Sequence, residues 1–252
     1  MIIISWNLCV ENNNQIQSVY NLLKDYQPDV VCLQEVSLSC LKDLQLLKNY
    51  ELIVAKDFNS FKYNKKREYK LVILSKYQIL NRNGDNKFSI SHLTRRSFWD
   101  FVNRWQESLE FQFIDIEYRN QRYRIFNIHL EVAAGPRLRL KQFMFAARHF
   151  NPKAHNIVCG DLNIYAKFWL NLLVGWAMGY TPTELFINEE KLFESEFRRL
   201  GMMNLFKGQK TYPKYGLQLD YILVPNSLST KNNQIITSVK DSDHYAIVTT
   251  LN

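Results

Sequence analysis

Carboxylates, carboxamides and imidazoles repeatedly stand at the ends of apolar runs in this chain. In NIVCGDLNI, at 156–164, Ile157, Val158 and Cys159 suit a buried strand. Gly160 lets the backbone turn sharply, and Asp161 and Asn163 follow at i and i+2. Turns are rich in Gly, Asp and Asn for conformational reasons alone, so GDLN by itself is not a site. The arrangement recurs, however. Asn7, Glu35, His129, Asp220 and the pair Asp243–His244 also follow apolar runs, which makes six separate segments ending in polar chemistry. One such end is trivial; six point to a shared centre.

The chemistry that this set suits is hydrolysis of a phosphate ester with a hard divalent cation. Mg²⁺, with Mn²⁺ as a substitute, takes oxygen ligands and keeps several waters, so one or two carboxylates such as Glu35 suffice to hold it. The cation neutralises charge that develops on phosphoryl oxygens. Asp161 and His244 suit the aiming and deprotonation of a water. His129 and Asn163 suit hydrogen bonds to the phosphate, and Asp220 suits fixing the tautomer of a histidine. Zinc hydrolysis fits less well, because HxxxH-like and Cys-rich ligand spacings are absent.

The elements that must carry these residues can be read from periodicity. Strands are expected over Met1–Asn7, Asp29–Val36, Glu51–Ala55, Tyr69–Ser75, Gln78–Leu80, Phe111–Glu117, Arg122–Leu130, from Asn156, over Leu219–Val224 and over Tyr245–Leu251. Helical spacing marks Asn12–Gln27, Ser37–Leu47, Pro136–Phe150 and Glu184–Leu200. Strands outnumber helices, and several hairpins connect them directly. Two mixed, largely antiparallel sheets packed face to face, with helices outside, would hide such a set.

The totals are consistent with this. The chain has 252 residues, 46% apolar and 22% charged, enough for one domain over 1–252 with a sizeable core. No linker or repeat divides it. Cys9, Cys32, Cys40 and Cys159 lie in or beside apolar runs without metal-finger spacing and read as reduced, buried residues. No signal-like or membrane-spanning stretch is present, so a cytoplasmic location is the expectation. The net charge of +8 favours polyanionic partners, nucleic acid or an anionic lipid surface.

Basic residues cluster at Lys62, Lys65, Lys66 and Arg67, at Arg95 and Arg96, at Arg119, Arg122 and Arg124, and at Arg137, Arg139 and Lys141. Phe61, Tyr63, Phe98, Trp99 and Tyr123 lie near them, as a strand-tracking groove with stacking platforms would need; a solvated basic face is the alternative. Arg137, Arg139 and Lys141 open a helix just after His129 and are the expected substrate-binding cluster. YAKFWLNLLVGWAMGY, at 165–180, is either a core helix or an exposed apolar patch at the site entrance.

SWN at 5–7, LQEV at 33–36, NIHLE at 127–131, CGDLN at 159–163, LDYILV at 219–224 and SDH at 242–244 resemble, in order, the motifs of the endonuclease/exonuclease/phosphatase superfamily. The resemblance implies a four-layered α/β/β/α sandwich and Mg²⁺-dependent phosphoester hydrolysis. It places Asn7 and Glu35 at the metal with Asp243 beside it, and His129 near the phosphate or leaving group. Asp161 and Asn163 would align nucleophile and phosphate, and Asp220 would orient His244. Glu68, in KKREYKLVIL, falls where deoxyribonuclease-like members place a glutamate that pairs with the first histidine; a solvated strand-edge charge is the other reading.

The superfamily acts on DNA, RNA tails, protein–DNA phosphotyrosyl bonds, inositol phosphates and sphingomyelin, so its core motifs do not name a substrate. The Tyr-x-Pro-Asn segment of the apurinic-site endonucleases is replaced here by Asn127-Ile128-His129-Leu130. NIHLE is closer to the deoxyribonuclease, sphingomyelinase and tyrosyl-DNA phosphodiesterase branches. A nuclease or DNA-end-processing phosphodiesterase is the leading expectation, followed by a sphingomyelinase-like or inositol-phosphate hydrolase. A catalytically silent binding module on the same scaffold is the third.

Overall fold

Thirteen runs of the chain pair as strands among the residues that the computed structural model describes, which are 1–9, 11–62, 65–81, 87–89, 97–98, 105–107, 110–239 and 241–252. Tyr63, Arg95, Arg96 and Trp99 lie outside the described residues, as do the side chains of Phe61, Lys62 and Lys65. The strands are β1 (Ile2–Asn7), β2 (Val30–Ser37), β3 (Glu51–Lys62), β4 (Lys65–Ser75), β5 (Lys87–Ser89), β6 (Trp105–Glu107) and β7 (Glu110–Tyr118). They continue with β8 (Gln121–His129), β9 (His155–Asp161), β10 (Met202–Asn204), β11 (Asp220–Pro225), β12 (Thr230–Ile236) and β13 (Ala246–Leu251).

One sheet has seven strands in the order β12-β13-β1-β2-β4-β3-β6, and the other has six in the order β10-β11-β9-β8-β7-β5. β1 and β2 are parallel, joined through helix α1 (Gln15–Tyr26), and β8 and β9 are parallel, joined through α3 (Pro136–Ala147). The other pairings are antiparallel, so both sheets are mixed. Arg119 and Asn120 link β7 to β8 with positive φ at both positions, the twist that a two-residue hairpin turn needs.

Alternation along each strand builds the layers. Ile3, Val30, Cys32 and Ile73 meet Ile114, Ile125, Ile157 and Ile222 between the sheets. Their neighbours Ile4, Val31 and Leu33 point outward, onto Val19 and Leu22 of α1 and Cys40 and Leu41 of α2 (Leu38–Leu44). On the far side, Phe126, Ile128 and Val158 meet Phe143 of α3 and Phe193 and Phe197 of α5 (Glu189–Arg199). The result is the expected four-layered α/β/β/α sandwich. A one-residue slip would exchange the two faces of a strand. It would also misplace side chains whose full burial is worth about 1.5–3 kcal/mol each.

Several expected elements differ. Gln78–Leu80 is not a strand; the segment is tied down instead by Leu80 N–H donating to the Asp115 carbonyl and Ile79 N–H to Glu51. The helix expected over Glu184–Leu200 is broken into a 3₁₀ turn (Glu184–Phe186) and α5, because Asn188 caps the second piece by accepting from Lys191 N–H. The edge strand β12 reads TKNNQII and escapes a search for apolar alternation. Residues 165–180 form only a short helix, α4 (Phe168–Val174), followed by turns.

Candidate active site

The two sheets are pinned beneath one end of the sandwich by buried amides. Gln34 Nε2 donates to Asn127 Oδ1 at 2.7 Å, and Asn127 Nδ2 donates across to the carbonyls of Leu33 and Val72. Register then aligns the polar strand ends. Asp161 lies opposite His129 on one side and Asp220 on the other, and Asn7 pairs with Gln34, next to Glu35.

Local backbone conformation aims these side chains. Gly160 has φ +141°, and a Cβ there would lie 1.8 Å from the Ile128 carbonyl oxygen, so only glycine lets β9 pass β8 at this point. Glu35 sits at a register shift in β2 with φ 57°, and Asn163 has φ 48°. Non-glycine residues held in the left-handed region cluster at functional sites, where surrounding structure enforces them. For Glu35 that structure is Gln15, whose Nε2 donates to the Glu35 carbonyl and whose Oε1 accepts from Ser37 N–H.

Asp161 is the hub. Its Oδ2 accepts from Asn7 Nδ2 at 3.0 Å and lies 3.9 Å from His129 Nε2 and 3.7 Å from His244 Nε2. Its Oδ1 accepts from the Asn163 backbone N–H at 2.9 Å. Asn7 Nδ2 also donates to Glu35 Oε1 at 3.1 Å. The Asn163 amide donates to the Leu130 carbonyl. Each histidine has its own carboxylate on Nδ1: Asp220 for His244 and Asp57 for His129, both at 2.9 Å.

Asp57 was not expected, and it corrects the pairing suggested for Glu68. Glu68 lies between Lys66 and Lys70 on one face of β4 and bonds to them at 2.8 and 3.1 Å. Asp57 falls at a register shift in β3, and such bulges re-aim side chains. It is fully buried, and its second oxygen accepts from Glu35 N–H at 3.0 Å. Asp57 follows the apolar run Glu51–Ala55 by two residues, so the strand-end rule that found the other site residues could have found it too.

Arg139 is the second correction. Arg137 and Lys141 are exposed, one turn apart on α3, whereas Arg139 between them faces inward. Its guanidinium is fully buried, bonds to Glu189 at 2.8 Å and to the carbonyls of Glu131 and Val132, and is closed by the Tyr180 hydroxyl. It is a structural ion pair with no surface left for substrate. Asp243 stands exposed at the rim beside Cys9 and Tyr212, and the Tyr212 ring packs 4.8 Å from that of His244.

Electrostatics follow from burying so many acids together. Burial pushes Glu35 up to about 7 against the pull of His129, and it also raises Asp161 against the pull of His244. Burial disfavours the charged histidines, but the carboxylates prevail. Asp57 carries His129 up to about 10, and Asp220 with Asp161 carries His244 equally far. Both shifts favour the doubly protonated rings, and among the described residues His129 Nε2 is buried without a hydrogen-bond partner.

The site offers a metal ion two sets of donors. Asp161, Asp220 and His244 offer ligand atoms within 4.8 Å of one another, but His244 Nδ1 is already committed to Asp220. Glu35, with Asn7 and Asp161 beside it, offers oxygen donors clustered around an acid that desolvation has raised, which fits a hard divalent ion better. A separate cavity of about 610 Å³, lined by Arg122, Lys153 and His155, opens where β8 and β9 begin and shares no residue with this centre.

No curated protein matches the chain in sequence. Solved structures do match in fold. An endonuclease/exonuclease/phosphatase family protein from Leptotrichia buccalis superposes with a TM-score of 0.68 at 17% identity, covering 100% of this chain and 99% of that one. TDP2 of D. rerio, in a complex with a single-strand DNA product, gives 0.64 at 16% identity, over 100% and 98% of the two chains. The endonuclease domain of TRAS1, a telomere-specific non-LTR retrotransposon, gives 0.58 at 12% identity, over 100% and 98%. The model of the Endonuclease/Exonuclease/phosphatase family matches residues 4–244, from the first strand to the second histidine of the site. The chain belongs to that family.

Proposed function

We propose that the chain is a single-domain, Mg²⁺-dependent phosphodiesterase that hydrolyses nucleic acid. The observation that carries this reading is the convergence on Asp161 of two carboxylate-backed histidines, both within 4 Å, beside the half-buried carboxylate of Glu35. With their Nδ1 atoms held by Asp57 and Asp220, His129 and His244 direct Nε2–H toward the same space. Two imidazolium donors there stabilise the added charge of a five-coordinate phosphate. Asp161, lying between them, orients the attacking water and draws off its proton. Asn163 keeps Asp161 aimed through its backbone N–H. Glu35, with Asn7 and Asp243 nearby, would hold Mg²⁺ or Mn²⁺, which neutralises charge on the phosphoryl oxygens.

Charge supports the nucleic-acid substrate. The chain carries +8, and Arg137 and Lys141 stand exposed on the helix that follows His129. Two relatives of the same fold are, by description, a protein bound to a single-strand DNA product and an endonuclease domain. A phospholipid or inositol-phosphate substrate is the second reading, favoured by the exposed apolar side chains that follow Asn163.

The test is cleavage of labelled single- and double-stranded DNA with Mg²⁺, with chelator, and with Asp161→Ala. Metal-dependent cleavage that the variant lacks supports the proposal. A folded protein that leaves DNA and RNA intact but hydrolyses sphingomyelin or inositol phosphates establishes the second reading instead. Binding without turnover in both wild type and variant marks a silent module.

A further inference from the structure

Helix α4 presents its apolar side to solvent. Trp169, Leu172 and Leu173 of the helix, and Trp176 in the turn that follows it, are 52%, 44%, 64% and 64% exposed. Among the described residues of this segment, Asn171 and Gly175 are buried while the tryptophans and leucines are not. Phe98 widens the face by stacking on Trp176 at 5.6 Å while staying 53% exposed. Phe186, in the 3₁₀ turn that packs against the helix, is 70% exposed as well.

The rim of this face is basic. Lys167 precedes the helix, its ammonium 5.9 Å from the Trp169 ring, and it donates to the Tyr215 carbonyl. Tyr215 belongs to a loop that carries Lys210 and Lys214, both exposed. The same loop reaches the catalytic centre: Tyr215 packs 5.8 Å from Tyr212, and Tyr212 packs against His244. Apolar face, cationic rim and active-site mouth are therefore continuous.

We infer that this face docks the protein onto an anionic lipid bilayer, with α4 lying in the interface and the catalytic mouth turned toward the headgroups. Tryptophan suits the boundary between headgroup and acyl chain, leucine and phenylalanine suit the layer beneath, and a lysine rim suits anionic headgroups. Bases stack on ring faces, and Leu172 and Leu173 offer none, so single-stranded nucleic acid accounts for less of the surface. No described helix is long and apolar enough to cross a membrane, so the contact would be interfacial. The inference holds whichever phosphodiester is cleaved.

The test is co-sedimentation with vesicles of equimolar phosphatidylcholine and phosphatidylserine, compared with phosphatidylcholine alone, read together with tryptophan emission. The expected result is association with the anionic vesicles, weakened by salt, with a blue shift and quenching by brominated acyl chains. Trp169→Ser and Trp176→Ser should each weaken association roughly tenfold or more. Both positions are exposed, so the melting temperature and the hydrolysis of a small soluble phosphodiester should be unchanged. Absence of anionic-vesicle association overturns the inference, as does association that the two variants leave intact. Quenching of these tryptophans by a single-stranded oligonucleotide but not by vesicles assigns the face to nucleic acid. Concentration-dependent dimerisation lost in the variants, without vesicle binding, assigns it to a second copy. Neither result depends on turnover, so failure here is separate from failure of the proposed reaction.

Discussion

Replacing Asp57 by Asn preserves the shape of the side chain and removes one of the two acceptors that the site uses. Oδ1 stands 2.9 Å from His129 Nδ1, and Oδ2 accepts from the Glu35 N–H at 3.0 Å. An amide has one oxygen. If Glu35 keeps it, His129 Nδ1 faces an N–H₂ group and must give up its proton. The ring becomes neutral, and burial, no longer opposed by Asp57, carries its pKa down from about 10. The charge-assisted hydrogen bond lost is worth about 1.5–3 kcal/mol. Felt in the transition state, this is a roughly 10- to 150-fold fall in kcat, with KM changed by about twofold or less. The assay is Mg²⁺-dependent hydrolysis of bis(p-nitrophenyl) phosphate, paired with an NMR titration of the His129 ring in chelated protein. Glu68→Gln, which removes ion pairs to Lys66 and Lys70 at the surface, should stay within about twofold of wild type. Undiminished kcat in Asp57→Asn with an unmoved His129 titration would refute the pairing argument, and so would an equal loss in Glu68→Gln.

Other expectations test the frame and the charges. Gly160→Ala should cost more than about 3 kcal/mol in urea melts or abolish folding, because its Cβ would lie 1.8 Å from a backbone oxygen at φ +141°. Arg139→Met leaves Glu189 buried and unpaired, so a loss of about 3–5 kcal/mol is expected in the same melts. Arg137→Ala and Lys141→Ala should leave stability unchanged while each lowers the salt slope of DNA binding by about 1. In chelated protein, Glu35 is raised from 4.5 to about 7, so its stabilising share is complete below pH 4.5 and is lost as pH climbs to 7. His129 and His244, raised from 6.5 to about 10, extend that loss from pH 6.5 to 10. Thermal melts with chelator should therefore decline across both windows, and saturating Mg²⁺ should flatten the lower one, where the cation replaces the proton. Melts that rise with pH would reverse the sign of this account.

Most of the framework was legible in the chain itself. Apolar runs, continuous or alternating, marked β1, β2, β4, β7, β8, β9, β11 and β13, because a buried strand must satisfy both of its faces. Reading the polar residues that border apolar runs singled out Asn7, Glu35, His129, Asp161, Asn163, Asp220 and His244, which stand where strands enter or leave the core. Tertiary structure alone decided which partners they meet. Spacing along the chain could not separate Asp57 from Glu68, because a bulge in β3 turns one toward His129 while strand periodicity hands the other to two lysines. Nor could it separate Arg139 from Arg137 and Lys141, because a cation looks the same in sequence whether a helix aims it at solvent or at Glu189. Residues 165–180 had two readings, core helix or exposed patch, and packing chose between them residue by residue: Met178 and Tyr180 went inside, while Trp169 and Trp176 stayed out. Local pattern reports which side chains need burial or water, and long-range register decides which of them become neighbours.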